Sequence, residues 1–186
     1  MKRILDLLFS LLFLIIFSPI LIIISIIIKM DSKGPVFFRQ RRIGKDKEEF
    51  LIYKFRTMYV NTPNLATDKF TNAASYITKI GSFLRKTSLD ELPQILNIIK
   101  GEMSFVGPRP ALYNQYELIE MRDKKGVNKC VPGLTGYAQV NGRDNVTDEE
   151  KTALDEYYVR NKSLALDFKI IINTFVNVLL KKDITN

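Results

Sequence analysis

Two adjacent carboxylates stand near two cations in the middle of the sequence. Arg85 and Lys86 lie a few residues before Asp90 and Glu91, and Pro93 follows them. Because proline is tolerated only in the first turn of a helix, a helix must begin within a few residues before Pro93. The carboxylates then lie at a helix N-terminus, where free amides favour anions. An aspartate there could attack phosphorus while its neighbour holds a divalent metal, although acidic residues in a first turn can also be simple caps.

The residues around this pair also predict how the helix starts and ends. Ser88 and Glu91 have the three-residue spacing of a capping box, in which the serine side chain closes the first turn. We therefore expect a helix over residues 90–99 that is closed by Lys100 and Gly101.

Two later segments carry arginines that could bind an anion. Arg109 lies between Pro108 and Pro110, which fix the backbone on both sides of it. A guanidinium held in this way can grip a phosphate with two hydrogen bonds. The glycines in residues 132–143 permit tight turns near a ligand, and Arg143 is a second anion candidate. Taken singly, each segment is equally compatible with an ordinary rigid turn.

The composition excludes several kinds of chemistry. The chain has 186 residues, of which 46% are hydrophobic and 26% charged, so it can bury a core and is not disordered. It has no histidine, which excludes a histidine base, a histidine metal ligand and a Ser-His-Asp triad. Its one cysteine, Cys130, excludes an intramolecular disulfide and a multi-cysteine zinc site. The net charge of +8 indicates an anionic partner or surface.

An apolar segment over residues 4–28 is long enough to be a membrane helix. Pro19 stands in its middle after Ser18, and a proline there removes a backbone hydrogen bond that the Ser18 hydroxyl could replace locally. Lysine or arginine residues flank both ends, so the positive-inside rule gives no direction. These residues alone fit equally well a kinked helix that spans the membrane and a re-entrant helix that dips in and returns.

The rest of the chain predicts a mostly helical α+β fold. Segments 36–40 and 50–55 read as the strands of a small β-hairpin, and residues 61–72 as a polar loop. Helices are predicted over 77–86, 112–122, 148–159 and 164–180. The last of these is apolar enough to lie at the membrane interface or in the core. Nine Lys and Arg against four acids between residues 29 and 56 could attract lipid headgroups or a phosphorylated ligand.

Together and in this order, these segments resemble the bacterial sugar transferase family, the monotopic phosphoglycosyl transferases. The similarity covers nearly the whole chain, and it is to the minimal single-domain members. Its most specific runs are residues 88–94 and 106–110, supported by residues 53–58 and 132–143.

The resemblance implies a domain organisation and a location. Residues 1–30 are expected to form a re-entrant membrane helix broken at Ser18 and Pro19, with both ends in the cytoplasm. Residues 31–186 are expected to form a compact catalytic domain of helices and loops, with interfacial helices, on the cytoplasmic face of the bacterial plasma membrane.

The resemblance also implies a reaction in which Asp90 and Glu91 are the catalytic dyad. Asp90 is expected to attack the sugar-bearing phosphate of a UDP-sugar, so that UMP leaves and a covalent aspartyl-phosphosugar remains. A polyprenyl phosphate, expected to be undecaprenyl phosphate, then accepts the phosphosugar. Magnesium is the implied cofactor, with Glu91 helping to bind it. An aspartate needs no histidine for this step because it is ionised at neutral pH.

Further substrate contacts carry over from the family residue by residue. The positions expected to bind phosphate or nucleotide are Lys54, Arg85, Arg109 and Arg143, with Asp155 and Asp167 as matching acidic positions. Val131 and Tyr137 depart from the family pattern, where arginine and tryptophan are usual. Residues 110–116 look most like members from capsular polysaccharide pathways, so we expect an N-acetylated amino or deoxyamino sugar.

This interpretation specifies the partners, and two other interpretations of the sequence stay open. The enzyme is expected to contact membrane lipids and no nucleic acid. The alternatives are a membrane-anchored basic adaptor without catalysis and an anchored hydrolase of nucleotide diphosphates.

Overall fold

The computed structural model describes residues 2–60, 62, 73–142 and 146–180. The predicted loop over 61–72 lies outside these residues except for Thr62. The helices are α1 Lys2–Asp31, α2 Ala73–Tyr76, α3 Lys79–Lys86, α4 Ile95–Lys100, α5 Tyr116–Lys124, α6 Tyr137–Asn141, α7 Asp148–Asn161 and α8 Leu164–Leu179. The strands are β1 Phe37–Ile43, β2 Glu49–Phe55, β3 Ser104–Val106 and β4 Gly133–Thr135, and short 3-10 helices cover Lys45–Lys47, Leu89–Gln94 and Val127–Lys129. The mostly helical α+β class is confirmed.

The predicted hairpin is present, and a second strand pair accompanies it. Strands β1 and β2 pair antiparallel, with Phe37 opposite Phe55 and Ile43 opposite Glu49. Strands β3 and β4 pair in parallel over three residues each, a length too short to leave a periodic signal in the sequence. A Cβ on Gly133 would lie 2.1 Å from the backbone nitrogen of Gly107, so this close approach depends on glycine.

Helix α1 continues through Pro19 without interruption. The Ser18 hydroxyl donates to the carbonyl oxygen of Ile15 at 3.0 Å, which is the oxygen that the missing N–H of Pro19 would have bonded. The chain therefore stays helical on both sides of Ser18 and Pro19, where the break is predicted. The predicted local replacement by the serine hydroxyl is confirmed.

The two faces of α1 have different surroundings. On one face Ile24 and Ile28 pack with Phe55 and Leu84, and nearer the N-terminus Ser10 is fully buried. The opposite face carries large apolar side chains along its length, including Ile15 at 73% exposure. Among the described residues, α1 is the helix that is long and apolar enough to cross a membrane.

Both ends of α1 are tied to the same folded body. The Nζ of Lys2 donates to Asp167 at 2.7 Å, and to the Tyr158 hydroxyl and the Val106 carbonyl at 2.8 Å each. Just past the other end, the Arg56 guanidinium donates to the carbonyl oxygens of residues 32 and 33. These bonds fix α1 against the domain at its first turn and immediately after its last residue.

Helix α8 has one face in the core and one face exposed, so it combines the two positions, core and membrane interface, that its sequence allowed. Ile170 is buried against Val106 and Tyr158, so one face of α8 belongs to the core. Phe168 and Phe175 on the other face are each 66% exposed. Such a helix is amphipathic in the manner of interfacial helices.

Asn97 connects helix α4, which follows the two carboxylates in the sequence, to the β-hairpin. Its side chain is fully buried; Oδ1 accepts from the Tyr53 N–H at 3.0 Å, and Nδ2 donates to the Leu51 carbonyl at 2.8 Å. Nδ2 also lies 2.7 Å from a Glu102 carboxylate oxygen. The amide therefore bonds the open edge of β2 as a neighbouring strand would, and it fixes α4 beside the strand that carries Lys54.

We expect Asn97→Ala to lower the free energy of unfolding by about 2 kcal/mol, because it removes a fully buried side chain and leaves two partly buried backbone groups of β2 without this partner. Asn161→Ala is the matched control, since that amide bonds Tyr157 on the exposed surface of α7. Its cost should stay below about 0.5 kcal/mol. Chemical or thermal unfolding of the full chain in detergent measures both, and equal losses would contradict the role assigned to Asn97.

Candidate active site

The segment that carries the two carboxylates starts differently from the prediction. Residues Leu89–Gln94 form a 3-10 helix, and the α-helix begins only at Ile95. Ser88 has a left-handed backbone with φ of 56°, and its side chain makes no capping bond. The predicted capping box at Ser88 is therefore wrong, because the serine turns the chain instead of closing the helix. Helical structure from Asp90 to Lys100, followed by Gly101 in the left-handed conformation, agrees with the prediction.

Glu91 is held by two cations at once. The Lys54 Nζ donates to Glu91 Oε1 at 2.6 Å, and the Arg109 Nη2 donates to the same oxygen at 2.7 Å. A second Arg109 nitrogen lies 3.4 Å from Oε2, which completes a forked contact. Lys54 comes from β2 and Arg109 from the loop after β3, so this carboxylate joins three separate segments of the fold.

Asp90 lies beside this cluster with weaker compensation. Its carboxylate is 3.9 Å from the Lys54 Nζ, and its side chain is 13% exposed. Arg85, at the end of α3, is close enough that its charge also acts on Asp90. The structure thus brings together Asp90, Glu91, Lys54, Arg85 and Arg109, five of the residues predicted from the sequence.

The two carboxylates have opposite acidities. Burial raises the pKa of Asp90 above its usual value; Lys54 opposes this effect, and the Glu91 charge adds to it. Burial acts in the same direction on Glu91, but the charges of Arg109 and Lys54 outweigh it and hold the pKa of Glu91 well below its usual range. Glu91 is therefore a firmly ionised anchor, whereas Asp90 is a poorly solvated and more basic carboxylate.

Arg42 is a residue near the site that the sequence prediction left out. Its guanidinium donates to the Pro110 carbonyl at 3.0 Å and to the Gln40 side-chain oxygen at 2.8 Å. Burial, with the nearby charge of Arg109, lowers the pKa of Arg42 to about 10, while Glu91 opposes this shift. The signal was available in β1, where Gln40 and Arg42 are two residues apart and so share a face of the strand.

The remaining predicted residues lie elsewhere or outside the described part of the chain. Asp155 is 1% exposed and binds Arg122 at 2.5 Å, so its burial argues against direct contact with a substrate. Asp167 bonds Lys2 and the Tyr158 hydroxyl, and therefore fastens α1 to α7 and α8. Arg143 lies outside the described residues.

The oxygen donors fit a magnesium ion only if a substrate supplies further ligands. No group of three or more metal-binding side chains occurs among the described residues. Magnesium is commonly held by one or two carboxylates together with substrate phosphates, and Asp90 and Glu91 offer such a pair. Glu91 Oε2 has only the longer contact with Arg109, which leaves lone pairs for a cation.

Comparison with known proteins gives consistent similarities. The family model described as bacterial sugar transferase matches residues 1–181. The exopolysaccharide production protein ExoY of Sinorhizobium fredii is 39% identical over 97% of the chain and 86% of its own length. An uncharacterized sugar transferase of Bacillus subtilis, EpsL, is 38% identical over 99% of the chain and 90% of its own length.

A longer relative shares the same region. The UDP-glucose:undecaprenyl-phosphate glucose-1-phosphate transferase of Escherichia coli is 41% identical over 95% of the chain. The chain spans only 40% of that relative's length.

The opposite acidities predict opposite effects of neutral substitutions on stability. Because the pKa of Glu91 is depressed, its charge stabilises the fold above about pH 4.3, the ordinary glutamate value, and this contribution is lost as the pH falls further. At pH 7 Glu91→Gln should lower the free energy of unfolding by about 2 kcal/mol, with the deficit shrinking below about pH 4. Because the pKa of Asp90 is raised, Asp90→Asn should leave the stability at pH 7 unchanged or increase it.

Thermal unfolding of the two variants between pH 3 and pH 8 measures this contrast. A loss in Asp90→Asn as large as that in Glu91→Gln would contradict the assignment.

Proposed function

Because the chain belongs to the bacterial sugar transferase family, we propose that it transfers the sugar-1-phosphate of a UDP-sugar to undecaprenyl phosphate and releases UMP. It is a phosphoglycosyl transferase. The observation that carries the proposal is the pair of adjacent, largely buried carboxylates, 13% and 19% exposed, one bonded by two cations and the other weakly compensated.

In the first step Asp90 acts as the nucleophile. One of its carboxylate oxygens forms a bond to the sugar-bearing phosphorus, and the bond from that phosphorus to the bridging oxygen of UMP breaks. The bond electrons leave with UMP, so no proton has to move. The incomplete solvation of Asp90 favours this role, because a carboxylate with a raised pKa is a stronger nucleophile.

In the second step the lipid phosphate takes the phosphosugar from Asp90. An oxygen of undecaprenyl phosphate forms a bond to the phosphorus, the bond to Asp90 breaks, and the aspartate is regenerated as a carboxylate. The product is undecaprenyl diphosphate sugar.

The cations around the dyad suit a diphosphate. Lys54, Arg85 and Arg109, with the nearby Arg42, give four positive charges against the two carboxylates. The two remaining positive charges match the two negative charges of the donor's diphosphate. Phosphoryl transfer depends mainly on positioning and charge neutralisation. When bound, magnesium would neutralise phosphate charge, with Glu91 as its protein ligand.

We also propose that α1 enters the membrane without crossing it, with both ends on the cytoplasmic side. Support comes from its two ends, since Lys2 bonds Asp167 while Arg56 bonds the backbone just after Asp31. Two ends fixed to one folded body are readily placed on one side of a bilayer. The outward apolar face of α1 and the exposed face of α8 would then contact lipid.

The identity of the sugar is a separate proposal. The resemblance of residues 110–116 to capsular polysaccharide members favours an N-acetylated amino or deoxyamino sugar and a role in surface glycan assembly. The printed name of the E. coli relative specifies glucose, which makes UDP-glucose the main competing donor.

The reaction is tested by UMP release from the full chain in detergent, supplied with undecaprenyl phosphate, magnesium and a panel of UDP-sugars that includes UDP-glucose and UDP-N-acetylglucosamine. We expect release from at least one donor, dependence on the lipid phosphate for multiple turnovers, and loss of release on adding EDTA. Asp90→Asn should lower the rate by at least about 10³-fold.

Asp148→Asn, which removes an exposed aspartate charge on α7, is the matched control and should keep the wild-type rate. Full turnover in Asp90→Asn would contradict the assignment of the nucleophile. Sustained release without undecaprenyl phosphate would instead identify a hydrolase.

The topology is tested by single cysteines at the two ends of α1, one in an extension before Met1 and one replacing Lys33, in a Cys130→Ser background. A membrane-impermeant maleimide should label both in inside-out vesicles and neither in intact cells. Labelling from opposite sides would show that α1 spans the membrane.

A further inference from the structure

The loop that carries Arg109 is held by four consecutive carbonyl oxygens. Each carbonyl of residues 108–111 accepts one hydrogen bond, at 2.8 to 3.0 Å, and the four donors come from β4, α5 and β1. The donors, in order, are the backbone N–H of Gly133, the guanidinium of Arg122, the guanidinium of Arg42 and the backbone N–H of Ile43.

This arrangement follows from the sequence of the loop. Pro108 and Pro110 have no N–H to donate, so the loop is fixed mainly through its carbonyls. With the backbone held on both sides of Arg109, its side chain leaves the loop in one direction and meets Glu91. The donor that bonds the carbonyl of Arg109 itself is Arg122, at 2.8 Å.

Arg122 is built into the interior together with Asp155. The two side chains are 4% and 1% exposed, and the ion pair between α5 and α7 is 2.5 Å long. A buried guanidinium keeps its proton, so it needs a carboxylate to balance its charge. Asp155 supplies that balance and leaves the other end of the guanidinium fork directed at the Arg109 carbonyl.

We propose that Arg122, oriented by Asp155, is a positioning residue that fixes Arg109 for its contacts with Glu91 and the donor diphosphate. This inference rests on the proposed function for its kinetic consequence. Arg42 holds the adjacent carbonyl, but its charge also acts on the residues of the site, whereas the charge of Arg122 is balanced by Asp155. Arg122 therefore acts through the backbone of Arg109.

A double-mutant cycle separates this role from a general structural one. Arg122→Lys keeps the charge but loses the fork that bonds Asp155 and the Arg109 carbonyl together, and should lower kcat/KM for UMP release about 10-fold. If Arg122 acts through Arg109, the same change in an Arg109→Lys background should cost less than about twofold. Independent losses that multiply would overturn the proposal.

Arg56→Lys is the matched control for this cycle. Arg56 is also a buried arginine, 5% exposed, that grips two consecutive backbone carbonyls, those of Ser32 and Lys33. Whatever it costs alone, its effect should multiply with that of Arg109→Lys. Equal coupling of Arg56 and Arg122 to Arg109 would overturn the proposal, because it would show general destabilisation.

Hydrogen exchange tests the hold on the loop without relying on turnover. In the full chain in detergent, Arg122→Lys and Asp155→Asn should each raise amide exchange in peptides covering residues 106–112 by at least about threefold, and Arg56→Lys should not. Unchanged exchange there in either variant that folds would overturn the proposal. Absence of UMP release from the wild type would overturn the proposed function, and the exchange result would still decide the role of Arg122.

Discussion

The carboxylate of Glu91, bonded at once by Lys54 and Arg109, is the interaction on which the arrangement of the site depends. It joins strand β2, the 3-10 helix of the dyad and the loop after β3 through two short ion pairs, whereas the Asp90 carboxylate reaches Lys54 only at 3.9 Å. Two of the three joined segments have further support. Asn97 bonds the edge of β2, and Arg122 bonds the backbone of Arg109. The geometry of the proposed active site is therefore set by Asn97 and Arg122, which do not contact Asp90 or Glu91.

Asp90 and Glu91 are adjacent in the sequence but differ in acidity. Because Lys54 and Arg109 bond Glu91 directly, the charge of Asp90 is compensated only from a longer distance. Burial and the adjacent charge of Glu91 both raise the pKa of Asp90. The neighbouring cations stabilise the charge of Glu91. The charge of Asp90 is poorly compensated, as the proposed attack on phosphorus requires. In the proposed topology, α1 would add a second constraint, because its bond from Lys2 to Asp167 would hold the site at the surface where the lipid phosphate arrives.

Local residue patterns and the family resemblance named residues that the structure brings together, whereas pairings between distant residues were not predicted. Pro93 and the two prolines around Arg109 restrict the backbone directly, so Asp90, Glu91 and Arg109 could be named as candidates from their own surroundings, and the family resemblance was needed to assign them to one site. The capping box predicted at Ser88 is wrong because the spacing of Ser88 and Glu91 does not reveal the left-handed backbone of Ser88. The ion pair of Arg122 and Asp155 joins residues 33 positions apart on two helices, and no local pattern announces it.

The most direct test of the account is to trap and map the covalent intermediate. The full chain is incubated with magnesium and a UDP-sugar donor that releases UMP, without undecaprenyl phosphate, and is then digested with trypsin. We predict one added sugar phosphate on the peptide of residues 87–100, localised to Asp90, which disappears when undecaprenyl phosphate is supplied. A stoichiometric burst of UMP with no adduct on this peptide, or with the adduct on Glu91, would contradict the account.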